Sequence, residues 1–138
     1  MLRTTPFLLF DGNCAEAMTF YQNCLGGELT LTKVIDTPMK VQYPVEKHNK
    51  IIYAQLKNGA IDIFATDWLH STRIPMQGNT VAIHISGNSK DLKIVFDKLS
   101  KGAPKDLLDE LREMPFGSYG HLADRYGVHW FFKGDKKD

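Results

Sequence analysis

The sequence predicts an α+β fold built from two βαβββ modules within one domain of 138 residues. Three observations carry this reading. The chain echoes itself: at a constant offset of 75, Gly12-Asn13 falls on Gly87-Asn88, Glu16 on Asp91, Ala17 on Leu92, Tyr21 on Phe96 and Gly27 on Gly102. Each copy reads as an apolar strand, a Gly-Asn turn and an amphipathic helix ending at glycine. After the first helix, two β-type runs flank Lys57-Asn58-Gly59, where Asn-Gly is a strong hairpin signal.

Pro6 to Phe10 is a short apolar run suited to a buried strand. Asn13 is a good N-cap, and Glu16, three residues on, completes a variant capping box. Ala17, Phe20, Tyr21, Cys24 and Leu25 form one apolar stripe. Gly26-Gly27 closes the helix. Glu28 to Ile35 alternates loosely and reads as a strand. Residues 36–50 carry two prolines and no clear period, which predicts a long exposed loop, a frequent setting for lids and partner contacts. Lys50 to Leu56 and Ala60 to Thr66 are the hairpin strands.

The second module repeats the pattern. Thr80 to Ile85 is a strand, and Asn88 caps a helix with the stripe Leu92, Val95, Phe96 and Leu99. Residues 103–115 are ambiguous. Leu107, Leu108, Leu111 and Met114 suit a short helix, whereas the repeat expects a strand nearby. Gly120 to Arg125 and Val128 to Lys133 should pair around Tyr126-Gly127, with a frayed tail beyond. The expected layout is module 1 over about residues 1–67, a linker over 68–79 and module 2 over 80–134.

Net charge is +1, which gives no electrostatic case for nucleic acid or an anionic membrane. No apolar run approaches the roughly 20 residues that span a bilayer. The start does not read as a signal peptide, so a cytoplasmic protein is expected. Cys14 and Cys24 lie ten residues apart on the first helix, about 15 Å along its axis and too far to pair. Cys14 sits in the first turn, where the helix dipole favours a thiolate, but it reads as a small helix-face residue; Cys24 reads as core.

Several stretches together are similar to a known family. They are Pro6-Phe-Leu-Leu-Phe-Asp-Gly-Asn13, Ala17 to Tyr21, Leu25-Gly-Gly-Glu-Leu29, Ile51 to Leu56, Ile61 to Asp67 and Tyr119-Gly-His-Leu-Ala-Asp-Arg-Tyr-Gly-Val-His-Trp130. They resemble the PhnB-like branch of the vicinal-oxygen-chelate superfamily, with glyoxalase I, extradiol dioxygenases and bleomycin-resistance proteins. The last stretch is similar to that branch's Tyr-Gly-x-x-x-Asp-x-Phe-Gly-x-x-Trp ending, with Tyr126 in place of Phe. The resemblance implies paired modules curling into an open cup, commonly in a homodimer. Some relatives carry a name linking them to demethylubiquinone methyltransferase, yet this chain has no glycine-rich strand–loop–helix to hold an adenosyl cofactor.

Metal-using relatives draw ligands from the first and last strand of each module. The matching positions here are Pro6, Ile63, Val81 and Phe131, none with a donor atom. A shift of one residue gives Thr5, Asp62, Thr80 and Trp130, with one credible ligand. No metal and no other cofactor is therefore expected. The expected cup lining is Leu8, Phe10, Tyr53, Ile63, Val81, Ile83, Phe116, Tyr119 and Phe131, which favours a flat or apolar small molecule.

The remaining polar residues read as structural. His84 is expected to be a hydrogen-bonded core histidine, and His121 and His129 surface residues near the closing hairpin. Alternation puts His129 opposite Val128 and Trp130. Glu46 and His48 read as solvated loop residues, and Asp124 as an acceptor of turn N–H groups. His70 follows Trp68 in the linker. The leading expectation is a metal-free small-molecule binding module. The alternatives are a lyase- or isomerase-type superfamily enzyme with a displaced metal site, or one using Asp62 and a histidine, and a structural dimer.

Overall fold

The structure, a computed structural model, describes residues 1–70 and 72–135; Ser71 of the expected linker and residues 136–138 of the expected tail lie outside the described residues. The chain divides into two compact units, Met1–Met76 and Gln77–Asp138. Each is an α+β unit with a four-stranded mixed sheet.

The first unit runs β1 (Phe7–Phe10), α1 (Cys14–Leu25), β2 (Glu28–Lys33), β3 (Ile51–Asn58) and β4 (Ile61–Asp67). Its sheet order is β1-β4-β3-β2, with β1 parallel to β4. Ala17, Tyr21, Cys24 and Leu25 are buried as the stripe predicts, joined by Cys14 and Met18. They meet Phe10, Ala54, Leu56, Ile63 and Ala65 from one face of the sheet. Gly27 closes the α1–β2 turn at φ +96°, and a Cβ there would lie 2.4 Å from the Lys57 carbonyl oxygen. Only glycine fits that approach.

The cap of α1 differs from expectation. Asn13 makes no side-chain cap bond. Asp67, at the end of β4 and 3% exposed, takes the role instead. Its Oδ1 accepts from the Cys14 N–H and its Oδ2 from the Ile51 N–H, both at 2.9 Å. One carboxylate thus ties the start of α1 to the start of β3. Residues 36–50 are not featureless either. Short 3-10 turns cover Val34–Asp36, Pro38–Gln42 and Val45–Lys47. His48 Nε2 lies 3.0 Å from the Lys40 carbonyl and 3.1 Å from that of Tyr43, folding the loop on itself.

The second unit runs β5 (Ile83–Gly87), α2 (Ser89–Leu99), β6 (Leu108–Met114), β7 (Gly117–Ala123) and β8 (His129–Gly134), in sheet order β5-β8-β7-β6. Here the sequence-predicted cap forms: the Asn88 side chain accepts from the Asp91 N–H at 2.8 Å and donates to the Asp91 carboxylate at 2.8 Å. Leu92, Phe96 and Leu99 are buried from α2. The Phe96 and Phe132 rings meet edge-on at 5.0 Å. Residues 108–114 resolve the ambiguity as a strand, and β5 begins at Ile83 rather than Thr80.

Candidate functional site

Strand alternation divides each sheet into a helix-packed face and a helix-free face. In the second unit Leu122, Trp130 and Phe132 are buried on the α2 side. On the opposite face, register sets two rows straight across the strands. His84 pairs with Phe131, Phe131 with His121, and His121 with Asp109. Alongside, Ser86 pairs with Lys133, Lys133 with Tyr119, and Tyr119 with Arg112.

The first row is an aromatic cluster whose central rings stand face to face. Phe131 stacks on His121 with centroids 4.9 Å apart and planes 23° from parallel. Tyr119 stands edge-on to both, at 6.3 Å from Phe131 and 6.2 Å from His121. Phe116, in the β6–β7 turn, is edge-on to Tyr119 at 6.0 Å. Asp109 Oδ2 lies 3.2 Å from His121 Nε2, and Asp109 Oδ1 lies 3.6 Å from Arg112. The Asp109 carboxylate is thus the close charged neighbour of both the imidazole and the guanidinium. Side-chain exposures of 37% for His121 and 42% for Asp109 leave the pair reachable.

The residues named from sequence divide by strand phase. Tyr119 and Phe131 lie in this cluster, and Phe116 borders it. Tyr53 is on the helix-free face of the first sheet, 5.4 Å from the Phe64 ring. Phe10 and Ile63 instead point into the α1 core at 5% and 3% exposed. Leu8 shares their face, paired in register with buried Ala65. Ile83 is paired with buried Trp130 on the α2 side. Val81 precedes β5 and is exposed. The family resemblance locates strands, but side-chain phase is set by where each strand meets its helix, so these residues are packing or loop positions.

The histidines also move. His84 is exposed on the helix-free face rather than in the core. His121 has a neighbouring carboxylate, which Asp109 supplies from a segment without a clear period. His129 lies on the same face, paired in register with Ala123. His70 stacks on Trp68 at 5.0 Å. Asp124 accepts from the Tyr126 and Val128 N–H groups, as the turn reading expects. Asp62 is bound by Gln55 at 2.9 Å, Arg3 at 3.2 Å and Lys57 at 3.6 Å. The Gln55 hydrogen bond, with the Lys57 and Arg3 charges, holds its carboxyl below the usual range, which suits an ion-paired anchor better than a proton donor. Cys14 is fully buried, and desolvation with the nearby Asp67 charge pushes its thiol up to about 12. Among the described residues, no three His, Cys, Asp or Glu side chains converge as a metal site.

The family model for 3-demethylubiquinone-9 3-methyltransferase matches residues 3–132. Protein YjdN of Escherichia coli is 27% identical over 91% of this chain and 90% of its own length. The crystal structure of PA1353 from Pseudomonas aeruginosa is similar at 28% identity and a TM-score of 0.84, covering 99% of this chain and all of that one. The bleomycin-binding protein of Streptomyces verticillus, solved with copper(II)-bleomycin, shares the fold at 15% identity and a TM-score of 0.55, over 99% of this chain and 98% of that one.

Proposed function

Because the chain belongs to the 3-demethylubiquinone-9 3-methyltransferase family, the PhnB-like branch of the glyoxalase/bleomycin-resistance superfamily, we propose that it binds a small flat molecule on the helix-free face of its second sheet. The observation that carries this reading is the Phe131–His121 stack bordered by Tyr119 and Phe116. A ring set against the exposed edges of this cluster gains apolar contact and edge-to-face complementarity. The Streptomyces bleomycin-binding protein, solved with copper(II)-bleomycin, is a protein of this fold that holds a small-molecule ligand.

The proposal includes no resident metal. Pro6, Ile63, Val81 and Phe131 offer no donor atoms, and Asp109–His121 gives only two. Methyl transfer, the activity in the family's name, is no part of this reading. The β1–α1 junction is Asp11-Gly12-Asn13, with a single glycine, and the first N–H of α1 is already taken by Asp67. A cytoplasmic homodimer completes the proposal. The buried thiols of Cys14 and Cys24 fit a reducing compartment.

The test is a heteronuclear NMR titration of the full chain with the neutral probe 2-naphthamide. Shifts clustered on residues 119–121 and 129–133, lost in Phe131→Ala, are expected. Shifts elsewhere only, or none, overturn the reading. The Asp109–His121 pair favours a second reading, an enzyme in which His121 moves a proton. Under it, His121→Asn lowers turnover by far more than it weakens probe binding.

A further inference from the structure

We infer that the ligand of this face is a planar aromatic anion, an aryl carboxylate or similar oxyanion, rather than a neutral ring. The inference rests on the binding reading above and goes further by naming the ligand's charge. It comes from the second row, Ser86–Lys133–Tyr119–Arg112, which lies beside the aromatic row on the same face. Successive same-face rows are about 7 Å apart and neighbouring strands about 4.8 Å. A ring set against the edges of Phe131 and His121 can therefore reach Lys133 and Tyr119 with a substituent.

The chemistry of that row is one-sided. Lys133 brings three N–H donors, Arg112 a planar fork, and Tyr119 and Ser86 hydroxyls that donate. The carboxylate on the face, Asp109, already meets His121 with one oxygen and Arg112 with the other. Among the described residues no carboxylate pairs with Lys133, and its Nζ stands 5.9 Å from the Phe116 ring centroid. That position lets it meet an anion held against the same aromatic cluster. Two full positive charges thus face one negative charge, with three histidines, His84, His121 and His129, alongside. A neutral ring would use the aromatic cluster and leave the Lys133, Tyr119 and Ser86 donors to water. An aromatic anion uses both.

The experiment compares 2-naphthoate with its neutral isostere 2-naphthamide on the full chain. Affinity is read from shifts at residues 119–121 and 129–133. Naphthoate should bind at least about tenfold tighter, the size of one charge-assisted hydrogen bond. In Lys133→Gln/Arg112→Gln the preference should shrink to about twofold, while Lys133→Arg should retain it. Added sodium chloride should weaken the preference in the unaltered chain, a readout independent of variant folding. Equal binding of the two probes overturns the inference and leaves the binding reading standing. Failure of both probes to move those resonances overturns both.

Discussion

Trp130 donates its indole N–H to Asp124 Oδ2 at 2.8 Å, while Asp124 Oδ1 accepts from the N–H groups of Tyr126 at 2.8 Å and Val128 at 3.1 Å. Asp124 is 1% exposed and Trp130 is 1% exposed. The turn between β7 and β8 is thus wound around one buried carboxylate. This gives the Tyr119-to-Trp130 pattern a physical meaning: the aspartate and tryptophan are a hydrogen-bonded pair. The same turn sets the β7–β8 register, and so places His121 beside Phe131.

Asp124→Ala should therefore destabilise the protein by about 3 kcal/mol or more, because buried donors lose their acceptor. Trp130→Phe should cost about 2 kcal/mol through the lost bond and reduced volume. Urea unfolding of each variant checks both values. A cost within 0.5 kcal/mol, roughly that of an ordinary surface substitution, would contradict the assignment.

The two helix starts should respond unequally. Asn88→Ala removes a formed cap and should cost about 1 kcal/mol. Asn13→Ala removes no cap bond and should cost less than about 0.5 kcal/mol. Asp67→Ala should cost more than either, about 2–3 kcal/mol, because two buried N–H groups lose their acceptor. Equal effects at Asn13 and Asn88 would contradict the asymmetry. Its origin is visible in register: Phe10 pairs with Asp67, whereas Ile85, at the repeat-equivalent position, pairs with Phe132.

These contrasts mark what the sequence makes legible. Local signals stand: the glycine-closed helices, the Asn58-Gly59 turn and the Asn88 cap are encoded within a few residues. Asp67 as a cap is not, because it reaches Cys14 across 53 positions. The strand β6 is obscured by a bulge. Asp109 pairs with His121 and Arg112 with Tyr119, so β6 advances three residues while β7 advances two. Leu108 pairs with buried Leu122, and a Cβ on Gly120 would meet Leu111 on that same side. Apolar residues three apart then imitate a helix. The same bulge hides Asp109, since only the paired strand places it beside His121. The repeat's demand for a strand was the signal that could have found it.

Cys14 should be inert to Ellman's reagent in the native protein and react only on unfolding, since burial suppresses the thiolate. Its raised pKa also gives a sign for alkaline stability. Below the ordinary thiol value of 9.0 both states are protonated and the full stability is present. Between 9.0 and about 12 the unfolded chain releases the proton and the folded chain retains it, so stability falls as pH rises. Melting curves from pH 8 upward should show this decline, and Cys14→Ala should reduce its slope. Rapid native-state labelling would contradict the burial.

The proposed homodimer is testable by light scattering at micromolar concentration. Each sheet has one face covered by its own helix, while Phe7, Leu9 and Tyr53 on the other face of the first sheet are 51%, 44% and 41% exposed. Apolar side chains grouped in this way favour association. A dimer mass is expected, with a shift toward monomer in Phe7→Asp/Leu9→Asp. A monomer mass for the unaltered chain would sink the proposal.

Titration with zinc, nickel and manganese should show no stoichiometric binding tighter than about 10 μM, because a stable site for such ions takes three or four donors. Asp62 is committed to Gln55, Arg3 and Lys57, and releasing it to a dication would leave two cations without their counter-charge. Among the described residues Asp109 and His121 are a further close pair, 3.2 Å apart, but they supply only two donors. Calorimetry on protein purified without an affinity tag measures this directly. Micromolar binding that disappears in His121→Asn or Asp109→Asn would overturn the metal-free reading. It would also give the two residues a ligating role, for which His84, on the same row beyond Phe131, would be the next donor to test.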